Sequence, residues 1–245
     1  MTFELICLGT GHGTTHAFQG MPSTAFAVLK DGEPWLLVDC GTGVIRSALK
    51  HLGRLPATLF ITHNHLDHSG ELPYVAKALS ARPRVLGHWE VLRLLMEVRL
   101  HDAPDDQQRM IDQIDWVAAD DRQQIRLEDG WRFDLHPAQH GYTCFGFVLR
   151  WREQPIFSYS ADSGFDTDYY AFLGRAPVMI VDARPNGGRY HATFEEVDAF
   201  AQQHPNRSLW VVHHGGMSHT FQAPNVALWQ TGERLPLTVS SRTGC

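Results

Sequence analysis

The chain has 245 residues, 43% hydrophobic and 20% charged, with a formal net charge of −6. This is ordinary globular composition, long enough for a sizeable core, and its negative balance offers no general attraction to a polyphosphate. No 18-residue apolar stretch occurs, and the opening "MTFELICLGTG" lacks a basic segment followed by an apolar one, so the expectation is a soluble, cytoplasmic protein with no membrane contact.

In chain order, "FELICLG" and "TAFAVLK" read as strands around a Gly-rich loop, and "EPWLLVDCGTG" as a strand running into a turn. "VIRSALKHLG" has helical spacing, "ATLFITHNH" is a strand ending in histidines, "GELPYVAKALSA" is a helix with Pro73 in its first turn, and "RVLGH" is a short strand. Residues 89–121 read as a helical, charged insertion, because strand signals resume only near "QQIRLEDGWRFDLHPAQH". After it come the strands "FGFVLRW", "PIFSYSAD" and "PVMIVDAR", a helix in "TFEEVDAFAQQH" and a strand in "SLWVVHH". Strands followed by helices, twice over, predict a layered α/β sandwich forming one domain over residues 1–245. Cys7, Cys40, Cys144 and Cys245 form no CxxC pair, so free thiols are expected rather than a zinc knuckle or disulfides.

Fifteen histidines are the unusual feature. The stretch "THNHLDHSG" places His63, His65, Asp67 and His68 directly after an apolar strand. Imidazole nitrogens and carboxylate oxygens bind zinc-like divalent metals at about 2.0–2.2 Å. Two histidines at i and i+2 on a loop leaving a strand can turn toward one point, while the following Asp-His pair faces a second, which makes room for two metals. Composition alone leaves a solvated His-rich turn open. Three further strand ends carry a ligand type, however: His140 after "FDLHPAQ", Asp162 after "IFSYSA" and His213 after "SLWVV". Ligands at strand ends converge along one edge of a sheet.

"THNHLDHSG" resembles the H-x-H-x-D-H signature of the metallo-β-lactamase superfamily, and His140, Asp162 and His213 follow in the order that superfamily uses. The resemblance extends from "LGTG" and "LLVDCGTG" to "LWVVHH". It implies an αββα sandwich of two mixed β-sheets flanked by helices. It also implies two divalent metal ions, with His63, His65 and His140 on the first, Asp67, His68 and His213 on the second, and Asp162 bridging. Zinc is the default and manganese next, since imidazole and carboxylate suit both. His214 competes with His213 as the last ligand; His213 is preferred because it directly ends the strand. Class B β-lactamases generally lack the histidine after the motif Asp, and flavodiiron proteins carry a carboxylate at the second histidine, so neither branch matches.

"YHATFEEVDAFAQQHPNRSLWVVHH" resembles the tRNase Z-like phosphodiesterase branch, where an H-x-T segment opens a helix leading to the last ligand strand. Here the segment is His191-Ala192-Thr193, with Thr193 a plausible N-cap. The resemblance implies attack on phosphorus by a metal-bridging hydroxide, with His191 as the candidate general acid and Asp67 orienting the hydroxide. A histidine that merely bonds the loop is the alternative for His191. His140 and Asp162 stand only 22 positions apart, which leaves no space for a long tRNA-holding arm, and Tyr159 occupies a position where that family tends to carry an acid. This argues against tRNA and for a small or cyclic phosphodiester, such as the cyclic ribosyl phosphate opened in phosphonate breakdown. The cysteine pairs of an extra structural zinc are missing.

Candidate substrate contacts are His12 and His16 in "GTGHGTTHAFQGMPS", Arg184 and Arg189 before His191, and His219 in the tail "HHGGMSHTFQAPN". Each has an ordinary reading as a turn or a solvated side chain. The 89–121 insertion reads as a lid, a homodimer interface or a surface cover, and Leu92, Leu94, Leu95 and Met96 suit a core. Two other functions stay open: a metal-dependent lactonase or other carboxylic ester hydrolase, and a non-catalytic binding protein of the same fold.

Overall fold

Apolar runs punctuated by turn residues build the first sheet of the computed structural model, which describes residues 2–13, 15–78, 82–101 and 104–238. Strands β1 (Phe3–Gly9), β2 (Ala25–Lys30) and β3 (Glu33–Val38) pair antiparallel, with a short helix α1 (Thr15–Phe18) in the loop after β1. Asp31 and Gly32 turn β2 into β3 with φ of 53° and 84°, the backbone that a two-residue type I′ hairpin requires. The sheet continues in parallel through β4 (Thr58–Phe60), β5 (Arg84–Gly87) and β6 (Asp115–Ala118). Parallel neighbours need a long return, and helices supply it. They are α2 (Val44–Leu52), then α3 (Leu66–Ser69) with α4 (Leu72–Ala78), then α5 (Trp89–Leu94), a π turn over Leu95–Arg99 and α6 (Pro104–Asp112).

The second sheet begins as an antiparallel meander of β7 (Gln124–Arg126), β8 (Trp131–Pro137), β9 (Phe145–Trp151) and β10 (Gln154–Tyr159). It turns parallel where α7 (Thr167–Leu173) leads to β11 (Val178–Arg184), the two-residue β12 (Ala192–Thr193) opens α8 (Phe194–Gln203), and β13 (Ser208–Val212) and β14 (Val226–Leu228) follow. The last strand, β15 (Arg234–Leu237), returns to pair with β1. The sheet orders are β15-β1-β2-β3-β4-β5-β6 and β14-β13-β11-β10-β9-β8-β7. Helix α2 packs on the first sheet at β1, and α8 on the second at β11, giving an αββα sandwich.

Inward residues of both sheets meet in one aromatic-rich core. Phe60 of β4 lies 5.2 Å from Phe133 of β8 and 4.6 Å from Phe147 of β9, measured between ring centres. A second core, with Tyr169, Tyr170, Phe194 and Phe200, seals α7 and α8 onto the second sheet. No helix among the described residues is long and apolar enough to cross a membrane. Cys7, Cys40 and Cys144 are buried free thiols.

The helical insertion expected over 89–121 is shorter than the sequence suggests. It ends at Asp112, and Asp115–Ala118 is a strand of the first sheet. This strand pairs on one side only and is half-buried, so "DWVA" carries no apolar run to announce it. Positions 79–81 of the expected helix, positions 102–103 of the insertion and Cys245 lie outside the described residues.

Phe60 is wholly buried and immediately precedes the loop that carries the histidines. Phe60→Ala is expected to lower unfolding stability by about 3–5 kcal/mol, measured by urea titration.

Candidate metal centre

The ends of the strands bring the histidines and carboxylates to one edge of the sandwich. β4 stops at Phe60 and releases Thr62 to His68 over that edge; the β8–β9 loop presents His140, β10 leads to Asp162, and β13 to His213. Three non-glycine residues here adopt left-handed backbone: Asp39 (φ 62°), Ala161 (φ 51°) and His213 (φ 61°). Such conformations cost of order 1–3 kcal/mol each and persist where the surroundings over-determine them. Gly41 permits the close packing of the motif loop, since a Cβ there would stand 1.9 Å from the Asp67 carbonyl oxygen.

Three groups of candidate ligand atoms share Asp162. His63, His65, His140 and Asp162 offer the first set, Asp67, His68, Asp162 and His213 the second, and Asp162, Asp182, His191 and His213 a third, in which Asp182 is already engaged by the two imidazoles; within each, the atoms lie within 4.8 Å of one another. In the first, His65 Nδ1 faces His63 Nε2 at 3.1 Å and His140 Nε2 at 3.2 Å. In the second, His68 Nε2 is 3.2 Å from Asp162 Oδ1, and His213 Nε2 is 3.5 Å from both Asp162 Oδ2 and Asp67 Oδ2.

Outer partners orient these side chains. Asp39 Oδ2 accepts from His68 Nδ1 at 2.8 Å, and Asp182 Oδ1 from His213 Nδ1 at 3.1 Å. A carboxylate that takes the Nδ1 proton leaves Nε2 to present its lone pair inward. The same Asp39 accepts from the Thr62 amide at 2.9 Å and hydroxyl at 3.0 Å, and from the Tyr159 hydroxyl at 3.4 Å. Asp182 Oδ2 also accepts from His191 Nδ1 at 2.7 Å and the Ser163 amide at 3.0 Å. Asp67 Oδ2 takes the Gly13 amide at 2.6 Å, which ties the first loop to the motif.

Charge makes the centre demand cations. Burial opposes charge on His213, but Asp162 and Asp182 outweigh it and hold its pKa at about 9; His68 is driven upward against its own burial by Asp162, Asp39 and Asp67. Burial keeps His63, His65 and His140 below the ordinary imidazole value. His68 Nε2, His213 Nε2 and Asp162 Oδ1 are buried atoms without a hydrogen-bond partner. His63, His65 and His140 as neutral imidazoles, His68 and His213 once a cation displaces their Nε2 protons, and the buried carboxylates form a donor set that fits divalent cations.

The other candidates divide. His191 stands beside the centre, its ring 5.2 Å from that of His213 and 5.3 Å from that of His140. His12 is 5.5 Å from His213, and its pKa falls to about 4 through burial and then the nearby His213 and His16. His16 instead faces the His12 backbone, its Nδ1 2.7 Å from the His12 carbonyl oxygen. Arg184 carries a buried Nε without a partner. Arg189 is turned over the Tyr190 ring at 5.4 Å, and His219 packs against Phe194 and Phe221; neither joins the ligand groups. His214 turns away, its Nε2 3.0 Å from the Trp229 carbonyl oxygen. Sequence reasoning missed Asp182 and the work of Asp39, yet "VMIVD" and "LLVD" show the signal that flagged Asp162, an acid ending an apolar strand.

Asp182→Asn keeps the shape but removes one charged acceptor serving both His191 and His213. It is expected to weaken divalent-ion binding about 10–100-fold, measured by chelator competition, with little change in the helical signal of the fold.

A family model described as Anti-Pycsar protein Apyc1 matches residues 3–229. Comparison with curated proteins finds no match. Among solved structures, the metallo-β-lactamase fold protein YhfI from Bacillus subtilis is 15% identical with a TM-score of 0.72, covering 95% of this chain and 99% of its own. A diphosphatase from the PhnP family is 17% identical with a TM-score of 0.73, covering 96% of this chain and 97% of its own. The short form of human tRNase Z is 18% identical with a TM-score of 0.65, covering 96% and 100%. The chain shares the metallo-β-lactamase fold of these structures, and it belongs to the family of the Anti-Pycsar protein Apyc1.

Proposed function

We propose that the protein is a dinuclear metal-dependent phosphodiesterase acting on a small or cyclic phosphodiester. The observation that carries this reading is the pair of ligand groups sharing Asp162, with His191 held against them by Asp182. Two divalent cations bound there, zinc first and manganese next, would supply an acidified water and take up charge on the attacked group. His63, His65 and His140 would hold one ion, Asp67, His68 and His213 the other, and Asp162 both.

The remaining steps fall to the chain itself. His191 donates its Nδ1–H to Asp182 Oδ2, so the acid form is the imidazolium, whose second proton sits on Nε2 and passes from there to the leaving alkoxide; the side chain keeps 16% exposure for that contact. Asp67, fixed by the Gly13 amide, orients the nucleophile. His12 and the unpartnered Arg184 offer donors to phosphate oxygens. Tyr142 lies edge-on to His65 at 4.6 Å and Tyr190 near His140 at 6.0 Å, both exposed, giving the rim aromatic faces for the organic part of an ester. The short β8–β9 loop and the net charge of −6 speak for a small substrate rather than tRNA. The similarity to proteins named as a diphosphatase and a tRNase supports phosphorus as the attacked centre. Three buried free thiols are consistent with a reducing, cytoplasmic setting.

Metal-loaded protein is expected to hydrolyse bis-p-nitrophenyl phosphate and at least one 2′,3′- or 3′,5′-cyclic nucleotide, with loss of activity on chelation. Hydrolysis of an acyl-homoserine lactone but of no phosphodiester would replace this reading with the lactonase one. His191→Ala is expected to slow cleavage of the cyclic nucleotide about 10²–10⁴-fold at full metal content. The same variant should slow bis-p-nitrophenyl phosphate far less, because p-nitrophenolate leaves without a proton. Equal losses on both substrates would remove His191 from the role of acid.

A further inference from the structure

The loop from His63 to His68 is braced from behind by Arg99, which has no carboxylate partner among the described residues. Arg99 closes the π turn Leu95–Arg99, where the Leu100 amide donates to the Leu95 carbonyl. A π turn shifts the direction of the residues at its end relative to an α-helix, and such turns are rare and frequently occur at functional sites. Here the shift aims the guanidinium at the ligand loop. Arg99 Nη2 donates to the Asn64 carbonyl at 2.6 Å, and Nε to the Ser69 hydroxyl at 2.9 Å and Asn64 Oδ1 at 3.2 Å. Ser69 in turn donates to the His65 carbonyl at 3.0 Å.

Asn64 separates His63 from His65, and Ser69 follows His68. One planar fork therefore ties both ends of the ligand loop together. All its acceptors are neutral, and burial lowers the Arg99 pKa. A half-buried cation with no carboxylate beside it among the described residues is a poor choice for stability alone; what it supplies is a rigid set of donors in a fixed plane.

We infer that Arg99 is a positioning residue for the metal centre: its guanidinium sets the backbone of Asn64 so that His63 and His65 converge on one point. The inference rests on the metal reading above and adds to it the insertion's role as a brace for the ligand loop. A recess of about 250 Å³ lined by Gly70, Pro73, Tyr74, Lys77, Arg99 and His101 opens beside the guanidinium.

The test uses the full chain with cobalt(II) as the probe, in wild type, Arg99→Ala and Arg99→Lys. Cobalt affinity from chelator competition is expected to fall about tenfold or more in Arg99→Ala, with an altered visible absorption spectrum. Arg99→Lys should recover only part of it, since an ammonium cannot reproduce the fork, and millimolar methylguanidinium should restore affinity to Arg99→Ala but add nothing to wild type. Wild-type affinity and spectrum in Arg99→Ala would overturn the inference, as would a lower melting temperature of the metal-free variant with cobalt binding unchanged. Failure of the wild type to bind cobalt would overturn the metal reading itself, a result distinct from either.

Discussion

Four carboxylates, those of Asp39, Asp67, Asp162 and Asp182, are buried along one edge of the sandwich, and the local structure is organised around that negative charge. Burying an isolated ion costs several kcal/mol, so each acid must be met by donors or cations. Asp39 and Asp182 are met by amides, hydroxyls and imidazole Nδ1 atoms. Asp162 is different. One of its oxygens has no hydrogen-bond partner although imidazole nitrogens stand around it, an arrangement that suits positive charge placed between them.

The scaffold answers this demand through its topology. The candidate ligands come from the ends of strands in both sheets, so the cross-sheet packing of Phe60 on Phe133 and Phe147 fixes the distance between the motif loop and the second sheet. Left-handed backbone at Asp39, Ala161 and His213 turns the chain sharply as it leaves β3, β10 and β13. Asp39 links the two requirements: one side chain holds Thr62, just before the motif, and His68, its last residue, and its own backbone is left-handed in doing so.

Much of this was legible in the sequence, because the ligands sit where apolar runs end. The H-x-H-x-D-H stretch, His140, Asp162 and His213 could be picked out as residue types at strand ends, and the structure gathers these residues into two groups around Asp162. Asp182 carries the same signal less distinctly, since it lies inside the apolar strand Val178–Arg184, which also reads as core. The short strands at Asp115–Ala118, Val226–Leu228 and Arg234–Leu237 were not legible, because each lies at or near a sheet edge with little apolar alternation. The links from Arg99 to Asn64 and Ser69 span 35 and 30 positions and depend on a π turn, which no local pattern announces. His214 shows the limit of spacing: only its turn toward the Trp229 carbonyl separates it from His213.

On this account, the reaction depends on two cations held by one shared carboxylate, with His191 poised at their side. The most direct measurement is the number of divalent ions per chain, by mass spectrometry of metal-loaded and dialysed protein, in wild type and Asp162→Ala. The account predicts two ions in wild type and at most one in the variant. One ion or none in the wild type, or two retained without Asp162, would contradict it.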